Sequence, residues 1–254
     1  MSSRVIAVVP ARGGSKGIPR KNLQPVGGVP LIGFAIAAGL ACPAIDTVIA
    51  STDDEDIAAE AMRLGARVPF MRSDELASDQ APMLDVLLDC VARMDQLGES
   101  FEYLVLLQPT TPFRNPEVLA QAIKALQQQS TYDSCVAVTP VVDSHPKRLR
   151  RIEDGCLQPY LAEGDSERQQ RQDHAADKAY RRCGAFYITR VSTLRETGSL
   201  YGRKILPWIV EGASAVTIDE PYDLLLASAV WENEQQDSAV IALRALIPSP
   251  GLAA

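Results

Sequence analysis

The chain has 254 residues, of which 46% are hydrophobic and 22% are charged, and its formal net charge is −7 at pH 7. These values are ordinary for a globular protein and exclude a disordered or collagen-like chain. Proteins that bind duplex DNA carry a broad basic face, so the acidic balance predicts no nucleic-acid partner. The length favours a single domain over residues 1–254.

The cysteines and the apolar segments indicate the cellular compartment in which the protein functions. Its five cysteines are widely spaced and form no C-x-x-C pair, which is typical of reduced thiols in a cytoplasmic protein. Two histidines are too few for the usual Cys/His zinc site. The apolar run near the N-terminus is too short for a signal peptide. Prolines and glycines interrupt the longest uncharged stretch, residues 24–45, so we expect no membrane span.

Short apolar runs alternate with amphipathic segments through the first half of the chain. The run at residues 5–9 is β-branched at four of five positions and ends at Pro10, as expected for a strand buried on both faces. Further strands are predicted at residues 47–51, 103–107 and 134–138, and helices at residues 31–41, 54–64, 82–97 and 115–129. This alternation predicts a three-layer α/β fold around a mostly parallel sheet.

The pattern changes at residues 141–182, which are polar and charged. A long irregular stretch in a compact domain is usually functional or disordered. We interpret it as an inserted arm for dimerisation or substrate capture, with a solvated loop as the alternative. Regular patterning then resumes, with strands predicted at residues 185–189 and 215–219, a helix over residues 221–236 and a frayed tail.

The segment after the first strand, residues 10–22, is rich in both cations and glycines. Glycines let the backbone approach a ligand closely, and backbone N–H groups with Arg and Lys side chains can hold a polyphosphate. The spacing matches neither the Walker A loop nor G-x-G-x-x-G, which disfavours a P-loop kinase and a dinucleotide dehydrogenase. The cations are Arg12, Lys16, Arg20 and Lys21, and the glycines are Gly13, Gly14 and Gly17.

Residues 9–23, Val-Pro-Ala-Arg-Gly-Gly-Ser-Lys-Gly-Ile-Pro-Arg-Lys-Asn-Leu, resemble the signature loop of the acylneuraminate cytidylyltransferases, the CMP-sialic acid synthetases. That family includes legionaminate and pseudaminate cytidylyltransferases. The block Leu-Leu-Gln-Pro-Thr-Thr-Pro at residues 106–112 is a second specific match, and weaker matches extend the resemblance over residues 4–235.

The resemblance implies a fold of the nucleotide-diphospho-sugar transferase type. It implies a reaction of CTP with a nonulosonic sugar acid that gives a CMP-sugar and pyrophosphate, with Mg²⁺ or Mn²⁺ as cofactor. It also implies a homodimer, in which residues 141–182 reach the partner's site. The general base remains open between a metal-bound water and the carboxylate of the substrate.

The resemblance also implies roles for individual residues. Arg12 is expected to meet the nucleotide phosphates, and Lys21 to stabilise the charge that builds on the α-phosphate and on pyrophosphate. Arg171 is expected to bind the sugar carboxylate beside Tyr180, and Asp219 and Asp223 to hold the metal. The full nucleotide-binding set is Ala11, Arg12, Ser15, Lys16, Lys21, Asn22, Arg72 and Gln108.

The chain departs from the family pattern at three places. Thr217 stands where the family has the first Asp of Asp-Ile-Asp, so either Thr217 acts through a water or Asp219 serves alone. Cys183 replaces a common Asn, and residues 174–178 hold two extra residues. The last two departures favour a sugar other than plain N-acetylneuraminate.

Two other functions stay open at this point. One is a cytidylyltransferase for a different sugar acid such as the octulosonate Kdo, although Kdo enzymes carry an acidic residue in the block that here reads Leu-Leu-Gln-Pro-Thr-Thr. The other is a nucleotide-binding regulator without catalytic activity, which the missing carboxylate at Thr217 makes plausible.

Overall fold

The computed structural model describes residues 3–141, 144–161 and 178–247. The chain divides into two compact units. The main unit comprises residues 1–137 and 183–254, and the inserted unit comprises residues 138–182.

A mixed sheet of six strands forms the centre of the fold, in the order β10-β6-β9-β5-β1-β4. Strand β1 pairs in parallel with β4 and β5, while β9 runs antiparallel to β5. The predicted α/β fold with a mostly parallel sheet is confirmed. In the described parts of the chain the strands are β1 Val5–Pro10, β2 Pro25–Val26, β3 Val29–Pro30, β4 Thr47–Ser51, β5 Tyr103–Leu106, β6 Ser134–Pro140, β7 Arg150–Glu153, β8 Cys156–Pro159, β9 Tyr180–Arg190 and β10 Ile205–Ile209.

Some of the helices begin at a capping side chain. Asp54 accepts a hydrogen bond from the Ile57 amide, and Asn115 accepts one from the Glu117 amide. Asp54 is the N-cap residue of the first of these helices. The helices are α1 Leu31–Ala41, α2 Glu55–Arg63, α3 Asp74–Ala77, α4 Met83–Gln96, α5 Pro116–Gln128, α6 Val191–Thr197, α7 Pro221–Asn233 and α8 Ser238–Leu246.

A hydrophobic cluster beside the sheet brings together two segments that are distant in the sequence. Phe34 packs edge-on against Trp231 with ring centroids 5.0 Å apart, and Phe113 stacks on the same indole at 6.2 Å. Ile18, from the loop after β1, and Ile218, from the segment before α7, are both buried in this cluster. Burial of these two residues therefore holds the cationic loop beside the segment that contains Asp219.

The predicted strand at residues 215–219 is wrong. Residues Gly212–Ala215 form a short 3-10 helix, and the Ile218 amide donates to the Thr110 carbonyl at 2.7 Å instead of joining a strand ladder. One edge strand of the sheet is β10, which contains Pro207 and was not predicted. A proline lacks the amide that a central strand needs but is tolerated at an edge.

The inserted unit contains a regular hairpin that the polar composition did not predict. Strands β7 and β8 pair antiparallel around Asp154 and Gly155, whose φ angles of 52° and 75° fit a tight hairpin turn. All four residues of each strand are exposed. In the part of the chain that the structure describes, no helix is long and apolar enough to cross a membrane.

Candidate functional site

An open cleft of about 340 Å³ lies at the carboxyl ends of β1 and β5. Open α/β sheets bind ligands at this position. The cleft collects seven of the eight residues predicted to bind the nucleotide: Arg12, Ser15, Lys16, Lys21, Asn22, Arg72 and Gln108. The eighth, Ala11, is buried, and its amide donates to the Ser51 carbonyl at 3.0 Å.

The loop after β1 is held against the start of α2. The Gly13 amide donates to Asp53 Oδ1 at 3.1 Å, and a side chain at position 13 would place its Cβ 2.7 Å from Asp54 Oδ2. The buried Asn22 side chain donates to the Arg12 carbonyl at 3.0 Å. Gly13 is therefore required by a close approach, and Asn22 stabilises the loop from within.

Two of the loop's cations share one carboxylate at the cleft. Arg12 Nη2 lies 2.7 Å from Asp79 Oδ1, and Lys16 Nζ lies 2.7 Å from Asp79 Oδ2. The hydrogen bond from Lys16, followed by the charges of both cations, holds the pKa of the Asp79 carboxyl below its usual value. These cations therefore already face an anion at the place where phosphates are expected.

The third cation of the loop, Arg20, does not line the cleft. It pairs with Asp56 at 2.7 Å and with Asp54 at 3.5 Å, at the first turn of α2. Its own φ of 51° lies in the left-handed region. Arg20 therefore anchors the loop to the start of α2, whereas Arg12, Lys16 and Lys21 line the cleft.

Lys21 joins the predicted phosphate site to the predicted metal site. Its ammonium donates to the carbonyls of Ile218 at 3.0 Å and Asp219 at 3.2 Å, and lies 3.8 Å from Asp219 Oδ1. The Lys21 side chain is 14% exposed, whereas the Asp219 side chain is 74% exposed. The fixed ammonium and the accessible carboxylate thus lie side by side.

Asp223 has a structural task at the start of α7. Its Oδ2 accepts from the amides of Asp219 and Glu220, both at 2.8 Å, and these bonds lower the pKa of the carboxyl. Glu220 and Asp223 form a capping box. Asp223 therefore orients the backbone of Asp219. Nearby, the Thr217 hydroxyl lies 3.5 Å from the Thr111 hydroxyl.

Arg72 and Gln108 also line the cleft. Arg72 is buried and donates to Ser51 through its Oγ at 3.1 Å and through its carbonyl oxygen. Burial lowers the pKa of this guanidinium. The lining residues that sequence reasoning missed are Pro10, Gly17, Met83, Pro109 and Thr110. Pro10, Gly17, Pro109 and Thr110 lie within two residues of a predicted residue in the sequence. Met83 reaches the cleft only through the tertiary fold.

Of the two residues predicted to bind the sugar, Tyr180 belongs to the described part of the chain. Tyr180 begins β9 in the inserted unit and is 42% exposed, while Arg171 lies outside the described residues. Cys183 is fully buried, and its thiol donates to the Ser214 carbonyl at 3.2 Å. Direct contact between Cys183 and a sugar would need an exposure that this side chain lacks.

Comparisons with known proteins agree on the class of enzyme. The sequence profile of the family described as "Cytidylyltransferase" matches residues 6–192. A CMP-N,N'-diacetyllegionaminic acid synthase of Legionella pneumophila is 32% identical over 92% of this chain and 98% of its own. A pseudaminic acid cytidylyltransferase of Campylobacter jejuni is 29% identical over 92% and 98%.

Solved structures show the same fold at lower identity. A CMP:2-keto-3-deoxy-manno-octonic acid synthetase complexed with CTP superposes with a TM-score of 0.67 at 17% identity, covering 92% of this chain and all of its own. A 4-diphosphocytidyl-2C-methyl-D-erythritol synthase from Anaerococcus prevotii superposes with a TM-score of 0.63 at 16% identity, covering 91% of this chain and all of its own.

Proposed function

This chain belongs to the cytidylyltransferase family, and from that premise we propose that it transfers the CMP group of CTP to a sialic-acid-like nonulosonic acid, releasing pyrophosphate. One observation carries the proposal: a single cleft is lined by Arg12, Lys16 and Lys21 together with Gln108. Relatives named for legionaminic and pseudaminic acids support this class of acceptor.

The proposed chemistry is a displacement at the α-phosphorus of CTP. A bond forms between this phosphorus and the anomeric oxygen of the sugar, and the bond to the oxygen that bridges the α- and β-phosphates breaks. The hydroxyl gives its proton to a general base, for which the carboxylate of the sugar acid is one of the two alternatives named above, and pyrophosphate leaves with the electron pair. Arg12 and Lys16 bind the phosphates, since guanidinium and ammonium groups match phosphate oxygens. Lys21 stabilises the charge that grows during the displacement.

Mg²⁺ or Mn²⁺ fits this cleft as a proposed cofactor. Within the described residues no group of three or more His, Cys, Asp or Glu side chains could hold a metal by itself. Mg²⁺ is usually bound by one or two carboxylates together with substrate phosphates. Asp219 would supply that carboxylate, and its exposed side chain beside Lys21 suits the task. A bound ion would neutralise charge on the phosphates.

We also propose that the enzyme is a homodimer that buries the hairpin of the inserted unit. A lone two-stranded hairpin is at best marginally stable in water. This hairpin and its flanks expose five large apolar side chains: Leu149, Ile152, Leu157, Tyr160 and Leu161. A second copy of the chain would cover them. Arg171 remains the proposed partner of the sugar carboxylate.

The cytoplasm is the proposed location. No disulfide links the five cysteines, and Cys156 alone among them is exposed. Cysteines without disulfides are typical of proteins in a reducing compartment.

One assay tests the function and its rivals together. Pyrophosphate release is measured with CTP and, in turn, N-acetylneuraminate, legionaminate, pseudaminate and Kdo. We expect release with at least one nine-carbon acid and little with Kdo. Release with Kdo alone would favour the octulosonate enzyme, and CTP binding without release for any acid would favour the regulator.

A further inference from the structure

Two main-chain carbonyls fix the direction of the Lys21 ammonium at the cleft. Its Nζ donates to the Ile218 carbonyl at 3.0 Å and to the Asp219 carbonyl at 3.2 Å, whereas Asp219 Oδ1, at 3.8 Å, is beyond hydrogen-bond distance. An ammonium carries three N–H donors. These two bonds therefore set the direction of the third donor, which remains for an anion in the cleft that Lys21 lines with Arg12 and Lys16.

The segment that supplies these carbonyls is itself held by the surrounding fold. The Ile218 amide donates to the Thr110 carbonyl at 2.7 Å, and the Ile218 side chain is fully buried in the same cluster as Ile18. The Asp219 amide donates to Asp223 Oδ2 at 2.8 Å. Burial of Ile218 and these hydrogen bonds therefore fix the positions of the two carbonyls.

Gly17 allows this segment to approach the loop after β1. A Cβ at position 17 would lie 3.0 Å from the Asp219 carbonyl oxygen, which is one of the two acceptors of Lys21. Even close C–H···O contacts span about 3.3 Å or more. The φ of Gly17 lies outside the left-handed region, so the backbone conformation itself does not require glycine. A side chain at this position would instead displace the carbonyl that orients the ammonium.

We propose that Gly17 and Ile218 are positioning residues that direct the Lys21 ammonium toward the phosphates of CTP; this rests on the proposed function. Gly17 leaves the space that the Asp219 carbonyl occupies, and Ile218 anchors the segment through its buried side chain. The ammonium is thereby oriented before the nucleotide binds. An oriented charge acts most strongly in the transition state, because no reorganisation is needed while charge grows on the phosphates.

Steady-state pyrophosphate release from CTP tests the role of Gly17. Gly17→Ala should lower kcat about three- to tenfold, with a smaller change in the KM for CTP, because displacements well below about 1 Å already slow a reaction. Gly14→Ala is the comparison variant in the same loop. A Cβ at position 14 meets nothing within 4 Å, so its effect on kcat should be smaller. A Gly17→Ala variant with the kcat of the parent protein, or an equal loss in Gly14→Ala, would overturn the inference.

A double-mutant cycle determines whether Gly17 acts through Lys21. Lys21→Met removes the ammonium, so adding Gly17→Ala to this variant should cause no further loss of kcat. Losses of kcat that multiply would mean that Gly17 acts independently of Lys21, and they would refute the positioning role.

Two isoleucine variants separate positioning from stability, and they keep the test decisive if Gly17→Ala folds poorly. Ile218→Val and Ile123→Val each remove one methyl group from a fully buried side chain, and Ile123, on α5, does not line the cleft. Both variants should lower the melting temperature, but only Ile218→Val should lower kcat. Equal kcat values in the two variants would contradict the role of Ile218.

Nitrogen-15 NMR of the lysine ammonium groups provides a measurement that needs no substrate. Lys21 is 14% exposed and hydrogen-bonded, so its ammonium protons should exchange slowly with water. Its signal, identified by its loss in Lys21→Met, should persist in Gly14→Ala and shift or broaden in Gly17→Ala. An unchanged signal in Gly17→Ala would overturn the inference whether or not the protein releases pyrophosphate. If the signal shifts but the parent protein releases no pyrophosphate with any acid, the proposed function fails and the orientation of Lys21 stands.

Discussion

Arg12, which lines the cleft, forms an ion pair of 2.7 Å with Asp79, although the whole of β4 and α2 separates the two residues in the chain. Lys16 binds the second oxygen of the same carboxylate at 2.7 Å. Asp79 therefore neutralises two of the groups proposed to bind CTP phosphates. Nucleotide binding at these cations has to compete with this carboxylate.

Removing the competing charge should strengthen nucleotide binding. Asp79→Asn is expected to lower the Kd for CTP by about two- to fivefold, the modest scale of exposed ion pairs. Titration calorimetry at low salt measures the Kd for CTP of the variant and of the parent protein. Added salt should reduce the difference between the two values. Asp74→Asn on α3 is the matched control. Arg12→Ala should act in the opposite direction, and weaker CTP binding in Asp79→Asn would contradict the competition.

Loss of the Lys21 ammonium should act mainly on turnover. The charge that it faces grows in the transition state, so Lys21→Met should lower kcat by about 100-fold or more, with a smaller change in the KM for CTP. Steady-state kinetics separate the two effects. The control is Lys16→Met, which should raise KM more than it lowers kcat. A pure KM effect in Lys21→Met would assign Lys21 to ground-state binding.

Metal dependence should trace to Asp219. EDTA should abolish pyrophosphate release, and Asp219→Asn should raise the Mg²⁺ concentration needed for half-maximal activity about tenfold or more. Asp223→Ala serves as the comparison. It should lower the melting temperature by removing a capping box worth about 1 kcal/mol, with a smaller effect on the Mg²⁺ requirement. The reverse ranking would make Asp223 the metal carboxylate.

A charge on the exposed hairpin should separate the proposed dimer. Ile152→Asp places a carboxylate where an apolar side chain is 76% exposed in the single chain. Multi-angle light scattering at micromolar concentration should show a dimer for the parent protein and a monomer for the variant. Met62→Asp, at an exposed apolar position on α2, should leave the mass unchanged. A monomeric parent protein with full activity would refute the dimer.

Acid should destabilise the main unit through Asp133. Its Oδ2 accepts from the amides of Arg203 at 2.7 Å and Lys204 at 2.9 Å, and these bonds lower the pKa of the carboxyl. Because the folded pKa lies below the unfolded value of about 3.9, the stabilisation is present above that pH and is lost as pH falls through the folded pKa. When the free energy of unfolding in urea is measured against pH, it should fall less steeply in acid for Asp133→Asn than for the parent protein. Identical slopes for the two proteins would exclude this contribution.

Local patterns in the sequence were sufficient to predict much of this protein. The buried β1 run, the cation- and glycine-rich loop and the Gln108 turn each lie within a short stretch, so composition and spacing identify them. Parallel strands bring their carboxyl ends to one edge of a sheet, and the predicted nucleotide residues accordingly meet in one cleft. The Asn115 cap is likewise local, because its side chain accepts from the amide of Glu117, two residues further along the chain.

The features that local patterns did not predict depend on contacts between residues that are distant in the sequence. The pairing of Arg12 with Asp79, the diversion of Arg20 to Asp56 and the approach of Gly184 to Gln108 all join segments far apart in the chain. Residues 215–219 carry apolar side chains that suit a strand, yet packing of Ile218 beside Ile18 and its bond to Thr110 make them a loop. A residue's local preference is weak compared with burial and hydrogen bonding in the folded chain, so the tertiary structure determined which of these side chains face the cleft and which hold it in shape.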